Sequence, residues 1–246
     1  MKTLVLFLAG PLQSWGGRST FSERDTQPYP TWSALIGMLA SARGIRRSDP
    51  LPEGWTDLSL LVRIDRPGRL MDDFHTIGGD YPPRQRMRTA SGKRKAHPVL
   101  TRRWYLMDAA FTVFVSGADW VVDDLEEHLR SPRWSPYLGR RSCPPAFPVL
   151  AGTTAAEAKH AARTLPLYRE PPREDDDEVR VKTAEDAPDP LDADHWPNDV
   201  PVSRDPYDRR FSARPVLEDE LSFEAADCKG GGVSAYREIC EGVKRI

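Results

Sequence analysis

The sequence predicts an α+β protein built on a ferredoxin-like domain. Apolar runs and amphipathic stretches follow one another as strand, helix, strand, strand, helix, strand, which is the split βαβ order. The second and third strands are separated by an unusually long connection, about residues 69–107, where a few residues would normally serve. Beyond residue 152 the regular pattern weakens, which divides the chain into 1–152 and a smaller region, 153–246.

The elements follow in order. Residues 2–9, KTLVLFLA, are an apolar run ended by Gly10-Pro11, and read as a buried strand. Gln13, Ser14 and Trp15 come next, on a bend flanked by glycine. Residues 31–43, TWSALIGMLASAR, read as a helix with Thr31 as N-cap. Leu35, Met38, Leu39 and Ala42 share one face, and Gly44 is the stop. Residues 58–64 alternate as a second strand, and residues 109–116, AAFTVFVS, form a third. In residues 119–130, DWVVDDLEEHLR, Val121, Val122, Leu125 and Leu129 lie on one side. Acids stand early and His128 and Arg130 late, as the helix macrodipole prefers. Residues 147–151 suggest a fourth strand. A helical piece over 154–163, an acidic linker over about 174–194 and a strand over 214–224 complete the chain.

Composition excludes several classes. The chain has 246 residues, 39% of them hydrophobic and 29% charged, enough for a substantial core. No apolar stretch approaches the roughly 20 residues of a membrane span. The opening MKTLVLFLAG is too short an apolar run for a signal peptide and lacks a cleavage site, so a cytoplasmic location is expected. Three cysteines, Cys143, Cys228 and Cys240, show no metal-ligand spacing and fit a reducing compartment.

The formal net charge of −2 hides segregation. Arg84, Arg86, Arg88, Lys93, Arg94, Lys95, Arg102 and Arg103 lie together with no acid among them. Between residues 174 and 194 acids prevail, opposed only by Arg180 and Lys182. A local basic block can bind a polyanion whatever the mean charge. Interleaved with Met87, His97, Trp104 and Tyr105, this one has the composition of a phosphate-tracking arm with base-stacking surface. The ferredoxin-like topology also underlies a common RNA-recognition module, but the aromatic consensus of that module is absent, so binding on the sheet face is not expected.

Two further stretches could carry chemistry. In YLGRRSCP, residues 137–144, Gly139 turns the chain and Arg140 and Arg141 follow side by side, an arrangement suited to bidentate phosphate recognition. In DDFHT, residues 72–76, His75 is a candidate general base for attack by an RNA 2′-hydroxyl, with Tyr29, Tyr81 or Lys93 assisting. Asp72 and Asp73 lack a third ligand at a useful spacing, so neither metal nor cofactor is expected.

LAGPLQSWG, PTWSALIGMLA, DFHT, RRWYL and PYLGRRSCP, in this order, resemble the CasD family of subunits of Cascade, the type I-E CRISPR RNA-guided surveillance complex, within the RAMP superfamily. The resemblance runs from residue 1 to about 155, with FSAR at 211–214 as its last echo. It implies an RRM/RAMP-type fold with a β-hairpin thumb inserted over about 69–107 and a small C-terminal β-containing domain. It implies a non-catalytic role: gripping the 5′ handle of the CRISPR RNA, capping the filament of CasC backbone subunits and contacting the large subunit CasA. Target DNA is then met only through the complex, and no membrane is involved. On this reading Gln13 and Ser14 hydrogen-bond the handle, Trp15 either stacks a base or packs beneath the loop, and Arg140 and Arg141 clamp phosphates with the cations of the insertion.

A more distant relative, the type I-C counterpart, cuts precursor CRISPR RNA with a Tyr, a Lys and a His, the last two adjacent. Here Lys95 and His97 are separated by Ala96. A metal-independent endoribonuclease using His75 is therefore the rival expectation. A purely structural subunit whose basic arm meets acidic protein is the third.

Overall fold

β1 (Lys2–Ala9) turns Leu4, Leu6 and Leu8 into one core and Val5, Phe7 and Ala9 into another, and all six are buried. A strand apolar on both faces belongs inside a sheet covered on both sides, which is why it reads as an unbroken run and not as an alternation. In the computed structural model, residues 1–17, 22–78, 81–88, 92–95, 97–172, 178–205 and 207–246 are described. After β1 come β2 (Leu12–Gln13), β3 (Glu23–Arg24), α1 (Trp32–Arg43), β4 (Ser59–Arg66), β5 (Arg69–Ile77), β6 (Val99–Met107) and β7 (Ala110–Gly117). Then follow α2 (Asp119–Arg130), β8 (Leu150–Thr154), α3 (Ala158–Thr164), β9 (Glu178–Asp186), β10 (Asn198–Ser203), β11 (Arg210–Ala213), β12 (Val216–Glu224) and α4 (Gly232–Arg245).

The main sheet is antiparallel, in the order β12-β9-β4-β7-β1-β8. Buried residues of α1 and α2 cover the Leu4 face, and those of α3 and α4 cover the Phe7 face. Both faces are thus closed, and binding must use loops and edges. Between β4 and β7 the chain leaves the sheet as a hairpin: β5 pairs with β6 from Arg69↔Met107 to Ile77↔Val99. β2 and β3 pair with the other side of β6, β2 at its base and β3 midway along it.

Several expectations need correction. Thr31 stands at the N-cap of α1 but makes no capping bond through its side chain. The cap comes from far along the chain: the Trp32 amide donates to Asp199 Oδ2 at 2.8 Å. Arg214 then clamps that carboxylate, with Nε donating to Asp199 Oδ1 at 2.8 Å and Nη1 donating to Asp186 Oδ1 at 2.6 Å. The fourth strand begins at Leu150 instead of 147, because Pro148 has no amide to give to a ladder. α3 likewise begins later than expected, at Ala158.

The acidic linker over 174–194 is in part a strand. Its first acids, Glu174 to Asp177, lie outside the described residues, but β9 runs between β12 and β4 in the main sheet. Val179 and Val181 point into the core while Glu178, Arg180 and Lys182 face solvent. Charged residues on the outer face raise the charge count without weakening a half-buried strand. β9 and β12 therefore extend the sheet of the first 152 residues. α4, which no expectation covered, buries Ala235, Ile239 and Val243 at four-residue spacing.

Candidate nucleic-acid interface

The bend after β1 is a joint. Gln13 pairs across to Leu106 in β6. Its side-chain amide donates to the Leu8 and Ala109 carbonyls at 3.1 and 2.7 Å and accepts from Trp15 Nε1 at 3.2 Å. Ser14 Oγ donates to the Trp104 carbonyl at 3.0 Å, and the Ser14 amide donates to Leu138 at 3.1 Å. Gln13 and Trp15 are both 0% exposed. Gln13 was expected to hydrogen-bond RNA, but its polar groups are used inside the fold, where they lock the hairpin base to the first strand. Of the two alternatives for Trp15, stacking or packing, the structure takes packing.

Gly139 explains the second half of the joint. At φ +83°, a side chain there would be strained, and a Cβ would lie 1.7 Å from the Ser14 carbonyl oxygen. The 137–143 loop therefore rests backbone to backbone on the bend. The expected pair of parallel arginines separates. Arg140 lies over the Tyr105 ring at 4.7 Å, and its Nη2 donates to the Arg24 carbonyl at 3.0 Å, so it anchors the loop. Its Nη1 is buried with no partner. Arg141 is exposed.

The hairpin cations divide similarly. Arg86 Nε donates to the Tyr81 carbonyl at 3.2 Å, and Arg94 Nη1 donates to Pro83 at 3.0 Å, so the tip folds on its own backbone. Arg84, Arg88, Lys93 and Lys95 are exposed around it. Arg102 faces Asp72 at 3.8 Å, an exposed pair of little energetic weight. Arg103 is half-buried, and its Nε lacks a partner. Leu70, Phe74 and Leu100 stand exposed on one side of the hairpin, at 60%, 58% and 51%. Cations beside uncovered apolar groups make a surface suited to a nucleic-acid strand.

His75 is partnered by the Asp73 carboxylate through Nε2. Its expected assistant Tyr29 is turned elsewhere, with its hydroxyl 2.9 Å from His195 Nε2. Burial, and after it the nearby Glu218, pushes the Tyr29 phenol up to about 12. Among the described residues no group of three or more His, Cys, Asp or Glu is placed to hold a metal ion. No helix of the described chain is long and apolar enough to cross a membrane.

A groove of about 1040 Å3 opens between α1, the 134–144 segment and the β10–β11 hairpin. Arg46, Arg47, Arg141, Arg204 and Arg209 line it, with Trp134, Tyr137 and Phe211. Burial and the neighbouring Arg47 charge hold the Arg204 and Arg209 guanidiniums below their usual range. Of these only Arg141 was expected. Arg46-Arg47 after a helix stop and Arg209-Arg210 were legible as doublets. Asp49, Asp205 and Asp208 interleave with them and cancel the local charge count.

Three comparisons with known proteins agree. A family model described as "CRISPR-associated protein (Cas_Cas5)" matches residues 3–217. The "CRISPR system Cascade subunit CasD" of Escherichia coli (strain K12) is 36% identical over 171 residues, 62% of this chain and 71% of that protein. A chain of a solved structure titled "CRISPR RNA-guided surveillance complex" superposes with a TM-score of 0.85 at 38% identity, covering 98% of this chain and 99% of that one. Another, titled "Crystal structure of Cas protein", has a TM-score of 0.66 at 30% identity, covering 94% and 98%.

Proposed function

This chain belongs to the Cas5 family of CRISPR-associated proteins, and on that premise we propose that it is a Cascade subunit that holds the 5′ handle of a CRISPR RNA without cutting it. The observation that carries the reading is the β5–β6 hairpin, whose exposed cations rise from a base held by the bend at 12–15 and the loop at 137–143. The order β8-β1-β7-β4 supports a ferredoxin-like core, and the hairpin is then its thumb. In this reading Arg84, Arg88, Lys93, Lys95, Arg102 and Arg141 pair with phosphates. Phe74 and Leu100 offer apolar surface to bases, while Gln13, Trp15 and Arg140 hold the thumb and loop in place.

Retention of RNA in this way needs charge and shape but no bond cleavage. The subunit caps a filament of CasC subunits, meets CasA and reaches target DNA only through the assembly, in the cytoplasm. The Asp73–His75 pair supplies the one observation for the rival reading, a metal-independent endoribonuclease. Binding of handle RNA by the purified chain, measured across salt concentrations, tests the proposal. The expected result is an affinity that falls linearly in log–log form with salt, and intact RNA after long incubation. Cleavage of repeat RNA that disappears in His75→Ala would overturn it.

A further inference from the structure

β12 is the last strand on one side of the main sheet, nine residues long and paired along its inner side with β9. Alternate residues of an antiparallel strand bond to each neighbour, so the amides of Val216, Glu218, Glu220, Ser222 and Glu224 turn outward, as their partners below show. An open row of this length is a template for another strand. The opposite edge, β8, is closed by α4: Tyr236 Oη donates to the Pro148 carbonyl at 3.1 Å and lies 3.3 Å from that of Leu150.

β12 is closed by other means. The Val216 amide donates to the His195 carbonyl at 3.0 Å, and the Val216 carbonyl accepts from the Asp194 amide at 2.8 Å. Beyond that point carboxylates hold the outward donors. The Glu218 amide donates to Asp194 Oδ2 at 2.7 Å, the Glu220 amide to Asp219 Oδ1 at 2.8 Å and the Glu224 amide to Asp227 Oδ2 at 3.3 Å. A carboxylate accepts but does not donate, so each one withdraws an amide from an incoming strand and offers it no donor in exchange. Charge adds a second barrier. Glu218, Asp219, Glu220 and Glu224 are all exposed, and the cations Lys182 and Arg180 stand on the inner side, opposite Glu220 and Ser222 in β9. A second copy added antiparallel about Glu220 would set Glu220 opposite itself. One added about Ser222 would set Glu220 opposite Glu224. Like charges directly opposed destabilise a sheet. We propose that β12 is a guarded edge: Asp194, Asp219 and Asp227 hold its outward amides and Glu220 repels its own copy, so that two chains do not join strand to strand into one continuous sheet. Asp194, from the acidic stretch over 174–194, thereby has a definite task.

The test removes the guard and reads the mass. Asp194→Ala/Asp219→Ala/Glu220→Thr frees two outward amides and deletes the charge that would oppose itself, and all three side chains are exposed. In sedimentation velocity of the purified full chain at micromolar concentration, this variant runs at about twice the mass of the wild type, as a two-fold strand pair requires. Adding Ser222→Pro removes an amide on the outward side, where an edge strand tolerates proline, and halves the mass again. Hydrogen exchange gives a second reading within the fold. The Glu218 amide exchanges about tenfold faster in Asp194→Ala than in the wild type, and the Glu220 amide likewise in Asp219→Ala. A folded triple variant with the mass of the wild type overturns the proposal, as does a doubled mass that survives Ser222→Pro. If the triple variant does not fold, exchange decides alone: rates unchanged in Asp194→Ala and Asp219→Ala overturn the guard, and faster rates uphold it.

Discussion

Gly139→Ala puts the joint between the 137–143 loop and the bend at 12–15 under direct test. At φ +83° the added methyl group strains the backbone by about 1–2 kcal/mol. It would also meet the Ser14 carbonyl oxygen at 1.7 Å, so the two backbones must separate. Separation breaks the bond from the Ser14 amide to Leu138, now 3.1 Å, worth about 1 kcal/mol. Overpacking in a close contact adds about 1–3 kcal/mol. Together these predict a loss of about 4 kcal/mol, which lowers the melting temperature of a chain this size by about 8–16 °C. Gly78→Ala is the matched control: its φ is +84°, but a Cβ there meets nothing within 4 Å. Strain alone predicts a fall of about 2–8 °C. Calorimetry on the two variants, together with handle-RNA affinity, reads the result. Equal losses would refute the claim that close backbone contact, and not conformational freedom, is what this glycine provides.

Three other outcomes are expected. Asp65→Ala leaves the Arg63 guanidinium buried at 0% exposure against the Ala162, Leu165 and Pro166 carbonyls, so urea unfolding should show a loss of about 3–5 kcal/mol. Tyr29 keeps its proton to about pH 12 in the fold, whereas an unfolded tyrosine ionises near 10.0. Between those values the unfolded chain binds fewer protons, so stability falls as pH rises, by at most about 2.7 kcal/mol, and Tyr29→Phe abolishes that part of the slope. Arg141→Gln, on an exposed side chain, should leave the melting temperature within about 1 °C. The same variant should make the salt slope of handle-RNA binding shallower by about 0.7.

Periodicity exposed the elements whose partners lie in their own pattern. β1 appeared in full because both its faces are buried, and α2 appeared from Asp119 to Arg130 because its apolar stripe and terminal charges agree. β9 was hidden, since Glu178, Arg180 and Lys182 on its wet face outweighed Val179 and Val181 in a charge count. The cap of α1 was invisible for a different reason: Thr31 occupies the right position, but the bond comes from Asp199, which no local rule connects to it.

The candidate site divides along the same line. That LQSWGG and YLGRRSCP matter could be read from residue types alone, because glycines beside Trp and Arg mark bends where backbones meet. Which side chains then face outward could not. Gln13 and Arg140 are drawn inward by contacts with nearby Leu8 and with Ala109, Tyr105 and Arg24 from distant segments, and Trp15 is held by Gln13. The arginine groove depends still more on folding, since α1 and the β10–β11 hairpin bring together cations that the sequence scatters among acids. Local pattern by itself determined β1, β4, β7, α1 and α2 and marked the long basic connection between β4 and β7. Exposure and charge proximity are properties of three-dimensional packing, and only the tertiary structure decided them.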